Sequence, residues 1–271
     1  MEKVVAMKIY ITNLKSSTER RRHMQKECAK ENLEYSFFDC VVGSELQDTE
    51  IAEKCDIETI SRYKNKEHWL NKGIIGCTLT NQNVYRDIIS NDYPFALYLE
   101  DDIKFANGFK QLLIKIGALV QPGDVILLNY LPKRTLELKP VKILIDNYGL
   151  YGVENPEAVG GGAAFVVTRD AAEKMLLFNT PIRITPDCWG DYKKASAIKR
   201  LLCVYPMPVT GIFVQSTMQI GRFLKLRNFI NQYRIFPFYG MIKLYKRIKR
   251  KGNHQIKIIN TILVVLHFLN P

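Results

Sequence analysis

The feature that most constrains this chain is a short apolar run, residues 95–99 (Phe-Ala-Leu-Tyr-Leu), that stops against Glu100, Asp101 and Asp102. Five consecutive apolar residues after Pro94 read as a strand buried on both faces, which belongs inside a layered α/β sheet. Three like charges at the end of such a strand repel one another, a costly arrangement unless something positive sits among them. In open α/β sheets ligands bind at the carboxyl ends of strands, and hard cations such as Mg²⁺ or Mn²⁺ take carboxylate oxygens. The spacing predicts a metal site holding a diphosphate, with Glu100 and Asp102 on one side of the extended chain and Asp101 on the other. A solvated acidic turn is the other reading of the same residues.

The flanking segments support the sheet. Residues 8–14 read as a first strand, and Ser16 to Glu19 have the S-x-x-E spacing of a capping box opening a helix through about Asn32. Residues 35–42 read as a second strand, ended by Gly43 and Ser44. Over residues 73–90, Cys77, Asn81, Val84 and Ile88 share one helical stripe, so Asn81 is either a ligand contact or a satisfied buried amide. Residues 125–128 form another apolar strand, and residues 133–156 read as a polar connection. Gly160, Gly161 and Gly162 precede a strand at 163–167 as a turn that allows close backbone approach; Thr168 then caps a helix to about Phe178. Residues 201–205 make the last strand. Strands alternating with helices define one α/β domain over residues 1–220.

A second carboxylate, Asp187, follows Pro186 and precedes Trp189 in an irregular stretch. It reads as a general base beside an aromatic platform for a sugar ring, or as a turn Asp that accepts backbone N–H groups.

Charge divides the chain in two. The 271 residues carry 39 Lys+Arg and 27 Asp+Glu, a net +12. Asp191 is the last acid, and residues 192–271 hold 15 basic residues, which leaves residues 1–191 at a net −3 (24 basic, 27 acidic). The excess belongs to residues 221–271, where Phe223, Leu226, Ile230 and Tyr233, then Phe238, Met241, Ile242, Tyr245 and Ile248, recur at helical spacing between lysines and arginines. Such a basic amphipathic tail lies on anionic membrane surfaces, or packs on the domain with its basic face solvated. Apolar content of 47% excludes wholesale disorder. Six scattered cysteines without C-x-x-C pairs read as free thiols in a reducing cytosol. No signal peptide or spanning helix is expected, because the most apolar stretch, residues 258–269, is too short. The protein is expected in the cytoplasm, peripheral to the inner face of a membrane. A nucleic-acid binder would explain the tail and leave the acidic trio without a role; a nucleotidyltransferase would use such carboxylates as well.

Taken together the motifs resemble glycosyltransferase family 25, the lipooligosaccharide galactosyltransferases. Ile11 to Leu14 followed by Glu19, Arg20, Arg21, Arg22 and His23 is similar to that family's opening strand and helix start. Residues 35–39 resemble its aromatic second strand, Gly76 to Thr80 its G-C-x-x-S segment, and Leu99 to Ile103 its E-D-D signature. Residues 161–168 are similar to its G-x-x-x-Y-I-I-S strand, and Asp187 falls at its downstream Asp. Asn81 stands where the family has His, Thr80 for Ser and Phe165 for Tyr. The resemblance implies a GT-A-like, Rossmann-like domain that moves galactose or a related hexose from a UDP-sugar to a lipid-linked glycan with inversion, and no nucleic acid as partner. It implies a divalent metal (Mn²⁺ or Mg²⁺) on Asp102 and Glu100 and a base at Asp187. Arg20 or Arg21 would approach the phosphates, with Asn13, Asp101 and Asn81 on the nucleotide-sugar side.

Overall fold

The computed structural model describes residues 7–62, 71–145, 147–212 and 256–258. The chain opens with β1 (Lys8–Asn13), α1 (Thr18–Lys30) and β2 (Ser36–Asp39), then two short helices, α2 (Asp48–Lys54) and α3 (Ile57–Ser61). The long helix α4 (Lys72–Ser90) leads into β3 (Phe95–Glu100), β4 (Ile103–Phe105) and α5 (Phe109–Gly117). Then come β5 (Asp124–Pro132), β6 (Leu136–Ile143), β7 (Gly149–Val153), β8 (Val159–Thr168) and α6 (Arg169–Phe178). The remainder is α7 (Trp189–Lys194), β9 (Arg200–Tyr205), β10 (Val209–Gly211) and β11 (Ile256–Ile258).

Nine strands form one sheet in the order β11-β6-β7-β9-β5-β8-β3-β1-β2, and β4 pairs with β10 in a separate antiparallel ribbon. Pairing directions run β7 and β8 against the other strands, so β1, β2, β3, β5, β6 and β9 all end on one rim. The strand expected from residues 95–99 lies inside the sheet, third from its β2 edge and flanked by β1 and β8, with Phe95 to Leu99 all buried. Its alternation serves two cores. Ala96 and Tyr98 face the layer of α4, α6 and α7 with Val84, Ile88, Met175 and Trp189. Phe95, Leu97 and Leu99 face α1 and α5 with Met24, Cys28, Phe109 and Ile116. Covering both faces is what allows the strand to be apolar throughout.

Four expectations change. Ser17 is the N-cap of α1 and its side chain makes no capping bond; the turn is closed instead by the Ser17 N–H donating to Leu14 O at 2.8 Å. Residues 133–156 are not a polar connection but contain the β6–β7 hairpin, whose solvated outer half hid its strand periodicity. The three glycines lie inside β8 and not before it, with Gly161 at φ 79° where β8 meets β5 through a shifted register. The tail contributes an edge strand, β11, parallel to β6 with Ile256 opposite Leu136; the amphipathic pattern from Phe223 to Ile248 lies outside the described residues.

Two glycines bring the segment after β2 onto the start of α4. A Cβ on Gly76 would stand 2.8 Å from Val41 O and 2.9 Å from Gly43 Cα, both backbone atoms that cannot turn aside. Gly76→Ala is expected to cost about 1–3 kcal/mol through overpacking, read from urea unfolding. Gly211→Ala, where nothing lies within 4 Å, is the control and should leave the midpoint unchanged.

Candidate active site

A cavity of about 570 Å³ opens on the rim where β1 and β3 end, walled by residues 40–44 and by the start of α4. Its acidic wall is Glu100, Asp101 and Asp102. Parallel pairing of β1 with β3 sets Thr12 opposite Glu100, which brings Asn13 alongside the residue after the strand. The Asn13 amide donates to Asp101 Oδ2 at 2.7 Å, and Arg20 Nη1 lies 2.9 Å from Asp101 Oδ1. The same guanidinium nitrogen is 3.3 Å from Asp102 Oδ2. The positive charge that three adjacent carboxylates require is therefore supplied in part by the chain itself.

The expected split, with Asp101 on the face opposite its neighbours, does not hold. Strand geometry ends at Glu100 and residues 101–102 lie in a bend, so both aspartates turn to one cation and all three acids line the cavity. Glu100 is left with the weakest compensation. Burial and the charges of Asp102, Asp101 and Asp187 hold its carboxyl at about 7, against a smaller opposing pull from Arg20. Asp102 is also pushed up by burial, with Arg20 acting the other way.

This donor set suits a hard cation. Asp101 is already engaged by Arg20 and Asn13, whereas Glu100 and Asp102 offer carboxylate oxygens whose repulsion a divalent ion would relieve. Among the described residues no group of three or more His, Cys, Asp and Glu side chains could hold a metal ion. Two carboxylates would leave positions for oxygens of a bound ligand. Asn13 Oδ1 is buried without a hydrogen-bond partner on the nearby β1 end, beside the bond that its own amide gives to Asp101.

The other sequence-predicted residues divide. Asp187 accepts from the Gly161 N–H at 2.9 Å and from the Thr185 hydroxyl at 2.7 Å, and its charge is felt at Glu100 and at Cys77. Trp189 is not an exposed platform. It is fully buried, donates Nε1–H to Gly161 O at 2.7 Å and stands edge-on to Phe165 at 5.2 Å, because the core behind β8 needs its bulk. Arg21 points away from the cavity, its guanidinium 3.9 Å from the centre of the Phe37 ring. Asn81 is a buried amide that donates to Cys77 O and to the Tyr98 hydroxyl, each at 3.1 Å.

Reading by motif missed Thr12, Cys40, Cys77, Tyr98 and Lys72 as cavity wall. The available signal was the two glycines, Gly43 and Gly76, which mark where backbone crosses closely beside the cavity. Burial pushes the Cys40 thiol to about 12 and Cys77 higher still, so both line the wall as neutral thiols.

Comparison with known proteins identifies the family. Residues 6–189 match glycosyltransferase family 25 (LPS biosynthesis protein). The chain belongs to that family, and its α/β sheet agrees with the GT-A-like fold expected of it. It is 32% identical over 125 residues to a protein named as a glycosyltransferase in Acanthamoeba polyphaga mimivirus, covering 45% of this chain and 36% of the relative. It is 30% identical over 180 residues to one so named in Haemophilus influenzae, covering 66% and 60%. It is 26% identical over 223 residues to procollagen galactosyltransferase 2 of Mus musculus, covering 75% and 35%. The chain thus spans about a third of two of these relatives and under two thirds of the other. A solved glycosyltransferase involved in the glycosylation of the major capsid of PBCV-1 aligns with a TM-score of 0.34 at 9% identity, over 73% of this chain and 80% of that one.

The raised Glu100 carboxyl gives a signed pH dependence. Its folded value, about 7, lies above the ordinary 4.5, so its contribution to stability is complete below about 4.5 and is lost as pH rises through about 7. Metal-free protein should lose melting temperature across that window, and Glu100→Gln should flatten the loss; an unchanged slope in the variant would assign it elsewhere.

Proposed function

We propose that this chain is a hexosyltransferase that moves galactose from a UDP-sugar to a saccharide acceptor with inversion at the anomeric carbon. The carrying observation is the carboxylate rim with its single engaged arginine, a site shaped for a phosphorylated donor at the ends of parallel strands. Family membership supports glycosyl transfer, and the galactosyltransferase names of several relatives favour galactose.

In this reading Asp102 and Glu100 hold Mn²⁺ or Mg²⁺, which when bound supplies Lewis-acid neutralisation of the departing diphosphate. Arg20 orients the acidic turn and adds its positive charge to the wall that the phosphate oxygens approach. Tyr98 and Cys77 exclude water from the inner wall. Asp187 takes the acceptor hydroxyl's proton as that oxygen attacks the sugar from the face opposite the nucleotide. The bonds from Gly161 N–H and Thr185 fix its carboxylate and leave the outer lone pairs for that proton.

The acceptor in this reading is a lipid-linked glycan, and the basic residues 221–271 hold the enzyme to an anionic membrane at its cytoplasmic face. Nucleic acid has no part in it, since the positive charge lies in that tail and the site itself is acidic. Among the described residues no helix is long and apolar enough to cross a membrane.

A panel of UDP-sugars with Mn²⁺ tests the reading: UDP release from UDP-galactose supports it, and pyrophosphate release, or none from any sugar, overturns it. Asp102→Asn should lower UDP release at least about a hundredfold with the melting temperature retained. Asp187→Asn should lower kcat about 10²–10⁴-fold with donor KM kept; an equal loss of donor binding would make Asp187 structural.

A further inference from the structure

Gly160 to Gly162 of β8 leave bare backbone beside Asp187. Lys133 directly follows β5 and is pinned there by its N–H, which donates to Ala158 O at 2.7 Å. Its side chain then runs across Gly160. A Cβ on that residue would overlap Lys133 Cε, and would stand 2.7 Å from Lys133 Nζ and 3.4 Å from Asp187 Oδ2. The ammonium and the carboxylate therefore flank one point without meeting. Among the described residues Lys133 Nζ makes no hydrogen bond or ion pair, whereas the next cation, Arg134, pairs with Glu157 at 2.8 Å. Leu131, the register partner of Gly160, is 65% exposed beside them.

The two charges select what fills the gap between them. An ammonium only donates and a carboxylate only accepts, so a group standing between them must do both. Asp187 Oδ2 takes one bond from Gly161 N–H and Oδ1 one from Thr185, which leaves acceptor capacity on each. A hydroxyl fits: its oxygen accepts from Lys133 and its proton points to Asp187, each bond about 2.8 Å long. An anion does not, since it would bring a second negative charge against Asp187, whose field already reaches Glu100. Leu131 adds apolar surface for the C–H face of a sugar ring.

We propose that Lys133, Asp187 and Leu131, around the bare backbone of Gly160, form a binding site for a neutral saccharide, with one hydroxyl held between the ammonium and the carboxylate. In the transferase reading this is the acceptor subsite and the hydroxyl so held is the nucleophile. Its oxygen bonds to the anomeric carbon as the bond from that carbon to UDP breaks; the proton passes to Asp187 and the electron pair leaves on the diphosphate. That role rests on the transferase reading, whereas saccharide binding itself needs no turnover.

Full-length protein, without metal or donor, is titrated with methyl β-D-galactoside and methyl β-D-glucoside and followed by saturation-transfer difference NMR. At least one hexoside should bind saturably, and Lys133→Met should weaken it at least about fivefold with the melting temperature retained. Gly160→Ala, which displaces the lysine stem, should weaken it to a similar degree, while Lys139→Met on the exposed part of β6 should leave it unchanged. No saturable binding by the parent chain, undiminished binding by Lys133→Met, or an equal loss in Lys139→Met overturns the proposal. So does tighter, Lys133-dependent binding of glucose 6-phosphate or methyl β-D-glucuronide, which would make the gap an anion site. UDP release from UDP-galactose by the parent chain is read separately: its absence ends the transferase reading and leaves a positive hexoside result standing.

Discussion

Arg20 reaches from the first turn of α1 to Asp101 and Asp102, and the geometry of the rim depends on that contact. Its side chain is only 12% exposed, and removing one partner from such a buried pair typically costs about 3–5 kcal/mol. The guanidinium joins three elements at once: the helix that carries it, the strand β3 whose end it neutralises, and β1, whose Asn13 shares Asp101 with it. Because one of three acids is fully engaged and a second partly so, negative potential collects at Glu100. Structural neutralisation and a reactive surplus of charge are divided among adjacent residues.

The second constraint is the direction of β8. It runs against both neighbours, so its first residues arrive at the rim where β3 and β5 end. Gly160 and Gly161 pass there without side chains, and the Gly161 N–H holds Asp187 in place. A run of small residues in the strand thus lets a carboxylate from residues 181–191 stand near acids from residues 100–102. Trp189 closes the back of the same strand, so its indole is spent on the core and on Gly161 O.

Much of the sheet was legible in the sequence, and the reasons differ by element. β3 declared itself through five apolar residues that only a two-sided core can hold. β1, α4, α6 and β9 followed from periodicity, and Thr168 caps α6 as its hydroxyl suggested, accepting from Ala171 N–H. The β6–β7 hairpin was not legible, since Lys139, Pro140 and Lys142 break the alternation where the strand leaves the core. Within the site, the acidic trio could be found but not its arrangement, because alternation applies only while the chain stays extended. Arg20 and Arg21 are equivalent as letters; the 100° turn between them on α1 sends one to Asp101 and the other onto Phe37. Cys40 carries no motif of its own, and the segment that contains Cys77 reads as helix and not as cavity wall; the two become neighbours only through the crossing at Gly43 and Gly76.

The pairing of β1 with β3 joins residues 88 positions apart, Lys8 with Ala96. During synthesis at about 5–20 residues per second, β1 leaves the ribosome some 4–18 s before the strand that will cover it. Until then Ile9, Ile11 and the apolar face of α1 have only β2 to lie against, and a two-stranded pair is marginal in water. The nascent first third of the chain is therefore a natural client for chaperones that bind short apolar segments. The rim that gathers the acids can close only once β3 has emerged.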